Sequence, residues 1–384
     1  MSSAKKKILV ITDQMPWGHR SIAKAIYGYL KDKETDENFE VLYEEVKAET
    51  GIANDVYTFL YRFSPTTNRI AYKLMEFDRL RELTERVSLT SVPRLKKVVN
   101  KYKPDLIISA YFFHSHSLAK LKEGDKNQKF KLWTVVADPW SINPVSFVPG
   151  ADLHLVYDEV GWKKALRYGI LPDNIMMTGW WVREAMYKKY DRMEAKGKLG
   201  FTDDRPVIFV GGGSLGTNSL VKILPALVFV KKKVGLVFNS GTDKLGFNLV
   251  AEYMRLLERY RKDNLVEIKN LGWIDNMAEV LSGCDIVFGK AGPNFLFDVV
   301  AMAKPFVAIT HIGGQEDGNI EIVLHKKLGW VKEKNGEITK FFLNYLNNEK
   351  KYRNKFSETI SKEAENNRKS LPLILERIKK EIGI

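Results

Sequence analysis

Three stretches of the chain place reactive or ligand-binding side chains beside glycines, next to runs that read as buried strands. The first, Gly18-His19-Arg20, follows the apolar run Lys7 to Thr12 and precedes a helical pattern from Ser21 to about Leu30. Glycine lets a backbone approach a ligand closely, a helix N-terminus offers N–H groups to an anion, and an imidazole there can orient or deprotonate a hydroxyl. A histidine hydrogen-bonded into the fold is the competing reading. The second is Asp138, which closes the run Leu132–Ala137 and precedes Pro139-Trp140. A carboxylate at a strand tip is a candidate general base, and a turn or cap residue is its alternative.

The third stretch is spread over the second half. Gly211-Gly212-Gly213-Ser214 follows the strand-like Val207–Val210 as a possible phosphate cradle. It lacks the Gly-Lys-Ser/Thr of a P-loop and the later acid of a dinucleotide fingerprint. Gly272-Trp273-Ile274 ends another run and offers backbone groups to a base. Lys290-Ala291-Gly292-Pro293-Asn294 ends a further one, with Asp298 a turn into the next helix, and Gly313 to Asn319 reads Gly-Gly-Gln-Glu-Asp-Gly-Asn. A helix starting after Gly292 suits a diphosphate, Asp298 a ribose diol, and Gln315, Glu316 and Asn319 sugar hydroxyls.

Elements able to position these groups recur at regular intervals. Short apolar runs at Asp105–Ala110, Leu132–Ala137, His154–Tyr157, Val234–Asn239, Val266–Asn270, Asp285–Phe288 and Phe306–Thr310 alternate with helical patterns. Continuous apolar runs are what parallel strands covered on both faces require. The sequence therefore predicts an α/β protein of two doubly wound, Rossmann-like domains. Tyr187 to Arg205 is polar and broken by glycines, and reads as the linker. Domain bounds of 1–198 and 199–363 follow, with a helix over 364–384 free to pack back on the first domain. A length of 384 residues suits two cores.

Cys284 is the one cysteine, which excludes a disulfide framework and a cysteine metal cluster and suits a small buried filler. The apolar stretch after the basic N-terminus is too short for a signal peptide, and no run is long enough to span a bilayer. A cytoplasmic protein with peripheral membrane contact is expected. The net charge of +14 points to an anionic partner or to a generally basic proteome.

Residues 51–103 are longer than a crossover between two strands needs, with 11 Lys/Arg against 5 Asp/Glu. Val56, Phe59, Leu60 and Phe63 recur at helical spacing, with Tyr57, Tyr61 and Arg62 beside them. Such a basic, aromatic, amphipathic insertion suits the surface of an anionic bilayer, and an ordinary helix pair packed on its own domain is the alternative. Leu371 to Ile384 is a further Lys-rich amphipathic pattern.

Taken together, Gly18-His19-Arg20-Ser21, the strand-end Asp138, Thr178-Gly179 with Arg183, Gly211-Gly212-Gly213, Trp273-Ile274-Asp275-Asn276-Met277, Lys290-Ala-Gly-Pro to Asp298 and Gly314 to Asn319 form a pattern. It resembles the inverting GT-B glycosyltransferases related to monogalactosyldiacylglycerol synthases and processive diacylglycerol glucosyltransferases, over nearly the whole chain. The resemblance implies transfer of a hexose from a UDP-sugar to a lipid such as diacylglycerol, at the inner face of the cell membrane, by single displacement with inversion. It implies no metal and no cofactor, since helix dipole and backbone donors take the leaving charge. Asp138, first choice as base, and His19 would act on the acceptor hydroxyl. Ile274, beside Trp273, would meet the uracil through its backbone and Asp298 the ribose. Gly292, Pro293 and Asn294 would line the diphosphate, approached also by Gly213 and Ser214. Gln315, Glu316 and Asn319 would read the sugar, while Gly18, Gly241 and Thr242 complete the donor site. Tyr57, Phe59, Leu60, Arg62, Phe63 and Trp140 would meet acceptor or membrane.

Departures from the family pattern are Asp298 in place of Glu, Asn143 in place of His, Met15-Pro16-Trp17 before Gly18, and Asn294-Phe295 in place of Gly-Thr. The last is expected to crowd the diphosphate turn. Transfer of N-acetylglucosamine to a lipid-linked precursor shares the donor site, as does a sugar-nucleotide epimerase, and a catalytically silent UDP-sugar and membrane binder is the non-enzymatic reading. The ordered donor loops argue against a nucleic-acid partner, which calls for basic side chains among stacking aromatics.

Overall fold

The computed structural model describes residues 5–14, 18–35, 38–48, 69–70, 72, 74, 78–125, 127–211, 217–261 and 263–383. It divides into two compact units, one of residues 1–183, 312–318 and 366–384, the other of 184–311 and 319–365.

The first unit carries six parallel strands: β1 (Lys6–Thr12), β2 (Phe39–Glu45), β3 (Leu106–Ser109), β4 (Lys131–Val135), β5 (Leu153–Val156) and β6 (Ile175–Met177), in the order β2-β1-β3-β4-β5-β6. Ile8 to Ile11 and Leu106 to Ile108 are wholly buried, as strands covered on both faces must be. Each such aliphatic side chain contributes roughly 1.5–3 kcal/mol by leaving water. The crossover helices bring Ile22, Ile26 and Leu30 from Gly18–Lys33, and Leu118 and Leu121 from Phe112–Gly124, to this core. The C-terminal helix Ser370–Ile382 belongs to the same unit and buries Leu371, Ile374, Leu375 and Ile378. The Ser370 hydroxyl fixes its start by donating to the Trp180 carbonyl at 3.0 Å.

The second unit carries β7 (Val207–Gly211), β8 (Val234–Asn239), β9 (Val266–Leu271), β10 (Ile286–Lys290), β11 (Phe306–Thr310) and β12 (Gly329–Val331), all parallel, in the order β12-β11-β10-β7-β8-β9. In each sheet the first strand has its successors on both sides, so the winding reverses beside β1 and beside β7. Ligands of such sheets sit beyond the carboxyl ends of the strands at that reversal. Each strand expected with bounds is present with its ends at most two residues away, whereas β2 was given no bounds and β6 and β12, of three residues each, were not foreseen.

The stretch read as a linker is built into the second unit, which begins at Glu184, whereas the sequence placed the boundary at 198. Asp191 caps the helix Arg192–Lys198 by accepting from the Glu194 N–H. The buried Asp285 carboxylate accepts from Arg192 at 2.7 Å, Arg353 at 2.8 Å and the Val207 N–H at 2.8 Å. A buried charge is tolerated only when paired in this way. Cys284 is buried, as expected, and burial raises its thiol pKa to about 12.

Candidate active site

In the first unit the reactive groups gather beyond the carboxyl ends of β1, β3 and β4. Gly18, His19 and Arg20 are the first turn of the helix Gly18–Lys33 and not a loop before it. His19 is half-buried, and its Nδ1 lies 2.8 Å from the Ala110 carbonyl, just past β3. A carbonyl only accepts, so Nδ1 carries the proton and Nε2 presents its lone pair. Burial lowers the imidazole pKa, which keeps the ring neutral, and the Tyr111 ring stands edge-on at 5.1 Å.

Asp138 lies three residues past β4, at the turn leading to Pro139-Trp140. Burial, the largest cause, lifts its pKa to about 7, with Glu316 raising it further and Gln315 and Lys164 opposing. The Gln315 side-chain amide donates toward Asp138 Oδ1 at 3.4 Å. Segment 312–318, which follows β11 in sequence, belongs to this first unit. It closes on itself through Glu316, whose carboxylate accepts from the Ile312 N–H at 2.6 Å, and through Asp317, which accepts from the Gly314 N–H at 3.0 Å. The Gly318 N–H then donates to Ser141 Oγ at 2.6 Å. A side chain on Gly318 would begin 2.5 Å from the Ser141 nitrogen, so only glycine permits this approach. Trp140 is pinned from both ends: its indole N–H donates to Asp158 at 3.0 Å and its carbonyl accepts from Lys164 at 2.6 Å. Asp138 therefore projects from a tip held on three sides.

Sequence reasoning passed over Asp13, which follows β1 directly and is buried. Its Oδ1 accepts from the Gln14 and Ala48 N–H groups at 2.8 and 3.0 Å, while Oδ2 has no partner among the described residues. Burial raises its pKa, opposed first by the hydrogen bonds from the Ala48 and Gln14 N–H groups. The signal was available, since an acid closing a buried strand is the argument that singled out Asp138. Arg69 and Tyr72 were also missed. Arg69 pairs with Asp317 at 2.8 Å and Tyr72 donates to the Ser141 carbonyl at 2.6 Å. The buried histidines His114, His116 and His154 are structural: His114 and His116 each bond a backbone carbonyl, at Val46 and Val145, and His154 bonds the Asn174 carbonyl and the Val148 N–H.

The carboxyl edge of the second sheet is composed differently. Gly292 caps the helix Pro293–Ala301, whose first-turn N–H groups have no partner within the helix. The turn before it is fixed by Asn319, whose amide donates to the Ala291 carbonyl at 2.8 Å while its Oδ1 stays unpartnered among the described residues. Phe295 does not crowd this turn. Its ring lies against Phe209 and Phe306, at 5.9 and 6.0 Å, beneath the strands. Asp298 is half-buried on the next turn. Past β8, Gly241 adopts φ +56°, which glycine accommodates readily, with Thr242 exposed beside it. Past β9, the Gly272 carbonyl accepts from Asn239 at 2.7 Å, Trp273 is 72% exposed and Ile274 half-buried. Gly213, Ser214, Tyr57, Phe59, Leu60, Arg62 and Phe63 lie outside the described residues. No group of three or more potential metal ligands occurs among the described residues, and no helix there is long and apolar enough to cross a membrane.

Residues 19–182 match the monogalactosyldiacylglycerol synthase family and residues 207–371 the glycosyltransferase family 28 C-terminal domain. A probable chloroplastic monogalactosyldiacylglycerol synthase of Nicotiana tabacum is 25% identical over 85% of this chain and 62% of its own length. The chain thus spans under two thirds of the plant relatives first matched. A processive diacylglycerol beta-glucosyltransferase of Bacillus licheniformis is 22% identical over 91% of this chain and 89% of its own. Among solved structures, Anabaena HepE in complex with UDP and glucose superposes with a TM-score of 0.57, at 15% identity, over 98% of this chain and 99% of its own. That likeness establishes the GT-B fold.

Proposed function

We propose that this chain, a relative of the monogalactosyldiacylglycerol synthases and processive diacylglycerol glucosyltransferases, is an inverting transferase moving a hexose from a UDP-sugar to a lipid hydroxyl, such as that of diacylglycerol, at a membrane surface. The observation that carries the reading is Asp138, a carboxylate with a pKa near 7 on a rigid strand-end tip within a chain of this family. A general base is most effective when its pKa lies near the working pH. Asp138 takes the proton as the acceptor oxygen attacks the anomeric carbon, the bond to the diphosphate breaks, and UDP leaves with the electron pair. Gln315 holds the carboxylate, and neutral His19 accepts a hydrogen bond from the acceptor through Nε2.

In the second unit the N-terminus of the helix Pro293–Ala301 meets the diphosphate and Asp298 the ribose, so the leaving charge is met by backbone dipoles without a metal ion. Asn319 acts in this scheme by fixing the turn at Ala291, and Glu316 by closing the segment that carries Gln315.

The test supplies UDP-glucose, UDP-galactose and UDP-N-acetylglucosamine separately over vesicles of diacylglycerol and anionic phospholipid. UDP release with a glycolipid of inverted anomeric configuration is expected from one hexose donor. UDP binding without any glycolipid would sink the diacylglycerol assignment.

A further inference from the structure

The second unit contains a groove of about 510 Å³ at the edge strand β12. Its floor is aromatic and fixed: Trp330 on β12 lies 5.1 Å from Phe341 and 5.4 Å from Tyr352, and those two rings meet edge-on at 5.2 Å. Four lysines line it, Lys332, Lys340, Lys351 and Lys355, against the single acid Glu337. None of the four makes an ion pair among the described residues. Several other basic groups of this unit are neutralised, Lys198 by Glu194 and Glu279, Arg205 by Asp203 and Glu267, Lys326 by Glu363. Lys355 instead stands over the rings of Trp330 and Phe356, at 6.0 and 5.2 Å.

Ammonium groups gathered around one cavity repel each other, and an anion seated among them relieves that repulsion. A phosphate ester brings several acceptor oxygens and more than one negative charge for lysines to meet. The aromatic floor calls for an apolar or planar group attached to it. We propose that this groove is a second binding site, for a phosphate ester bearing an apolar or planar substituent. The site is distinct from the helix N-terminus at Gly292, because β11 stands between β12 and β10, and it does not depend on the transfer reaction.

The test uses the full chain with saturating UDP, so that a nucleotide site is occupied. Phenyl phosphate is titrated calorimetrically, and sedimentation is measured with phosphatidylcholine vesicles with and without phosphatidylglycerol. The Lys340→Glu/Lys355→Glu variant alters exposed side chains, and Lys231→Glu/Lys232→Glu changes the net charge equally elsewhere on the unit. Binding of at least one probe is expected, weakened about tenfold or more in the first variant and unchanged in the second. Response to phenyl phosphate identifies a soluble ester as sufficient, and response to phosphatidylglycerol alone identifies a lipid headgroup. Native protein that binds neither probe, or equal losses in the two variants, would overturn the proposal.

Discussion

The carboxyl edges of the two sheets share one winding and differ in chemistry. Beyond β1, β3 and β4 the chain places Asp13, His19 and Asp138, three ionisable groups whose protonation is moved by burial. Beyond β8, β9 and β10 it places glycine turns, backbone carbonyls pinned by Asn239 and Asn319, and an exposed indole. Burying a charge is costly, and such groups concentrate where protons are transferred. Backbone and amide groups carry no such cost, and they suit recognition of a neutral sugar and a diphosphate. Under the proposed reaction, the difference assigns proton handling to the first unit and donor recognition to the second. That division can be broken one residue at a time.

The largest effect is expected at Asp138. Asp138→Asn removes the base while keeping the shape, and kcat should fall about a thousandfold, within the usual span for general-base catalysis. In the native protein the rate should rise with pH through about 7, because only the ionised carboxylate accepts the proton. Stability runs the opposite way. The folded-state pKa lies above the ordinary value of 3.8, so the folded state holds its proton more tightly than the unfolded chain. The corresponding stability is full below about 4 and is lost as pH rises to 7. At pH 8 Asp138→Asn should therefore melt later, by on the order of 1–2 kcal/mol after allowance for partial solvation. An inactive variant that is also less stable would mean that Asp138 is a structural residue.

Next in size is Gly318→Ala. Its methyl would lie 2.5 Å from the Ser141 backbone nitrogen, where nothing can yield without moving the tip that carries Asp138. Displacements of about 1 Å cost on the order of a hundredfold in rate. The loss should appear in kcat, with donor KM nearly constant. A rise in donor KM alone would show that segment 312–318 serves the donor and not the base.

This contact also marks the limit of what the sequence discloses. The strands were legible because continuous apolar runs such as Val207–Val210 are written in the local sequence, and Asp138 was legible because it closes such a run. The partnership of Gln315 with Asp138 was not, since the two are 177 positions apart and nothing local couples them. Gln315 was assigned to the donor sugar for its chemistry, and its position in the first unit was not foreseen. The linker was misread for a related reason: its polarity looked like solvent exposure until Asp285, far along the chain, was found paired with Arg192. Asp13 is a different kind of omission, because the logic applied to Asp138 applied equally there.

The smallest expected effect tests the other side of the division. Asp298 is half-buried within the helix Pro293–Ala301, past its first turn, where the proposed ribose contact involves no reacting atom. Contacts made equally in ground and transition states alter KM and leave kcat. Asp298→Asn keeps one acceptor oxygen, so the UDP-sugar KM should rise several-fold with kcat within about twofold and the pH profile unmoved. A drop in kcat, or a shift of the pH midpoint away from 7, would place proton handling in the second unit as well, and the contrast between the two edges would then be one of composition without a division of labour.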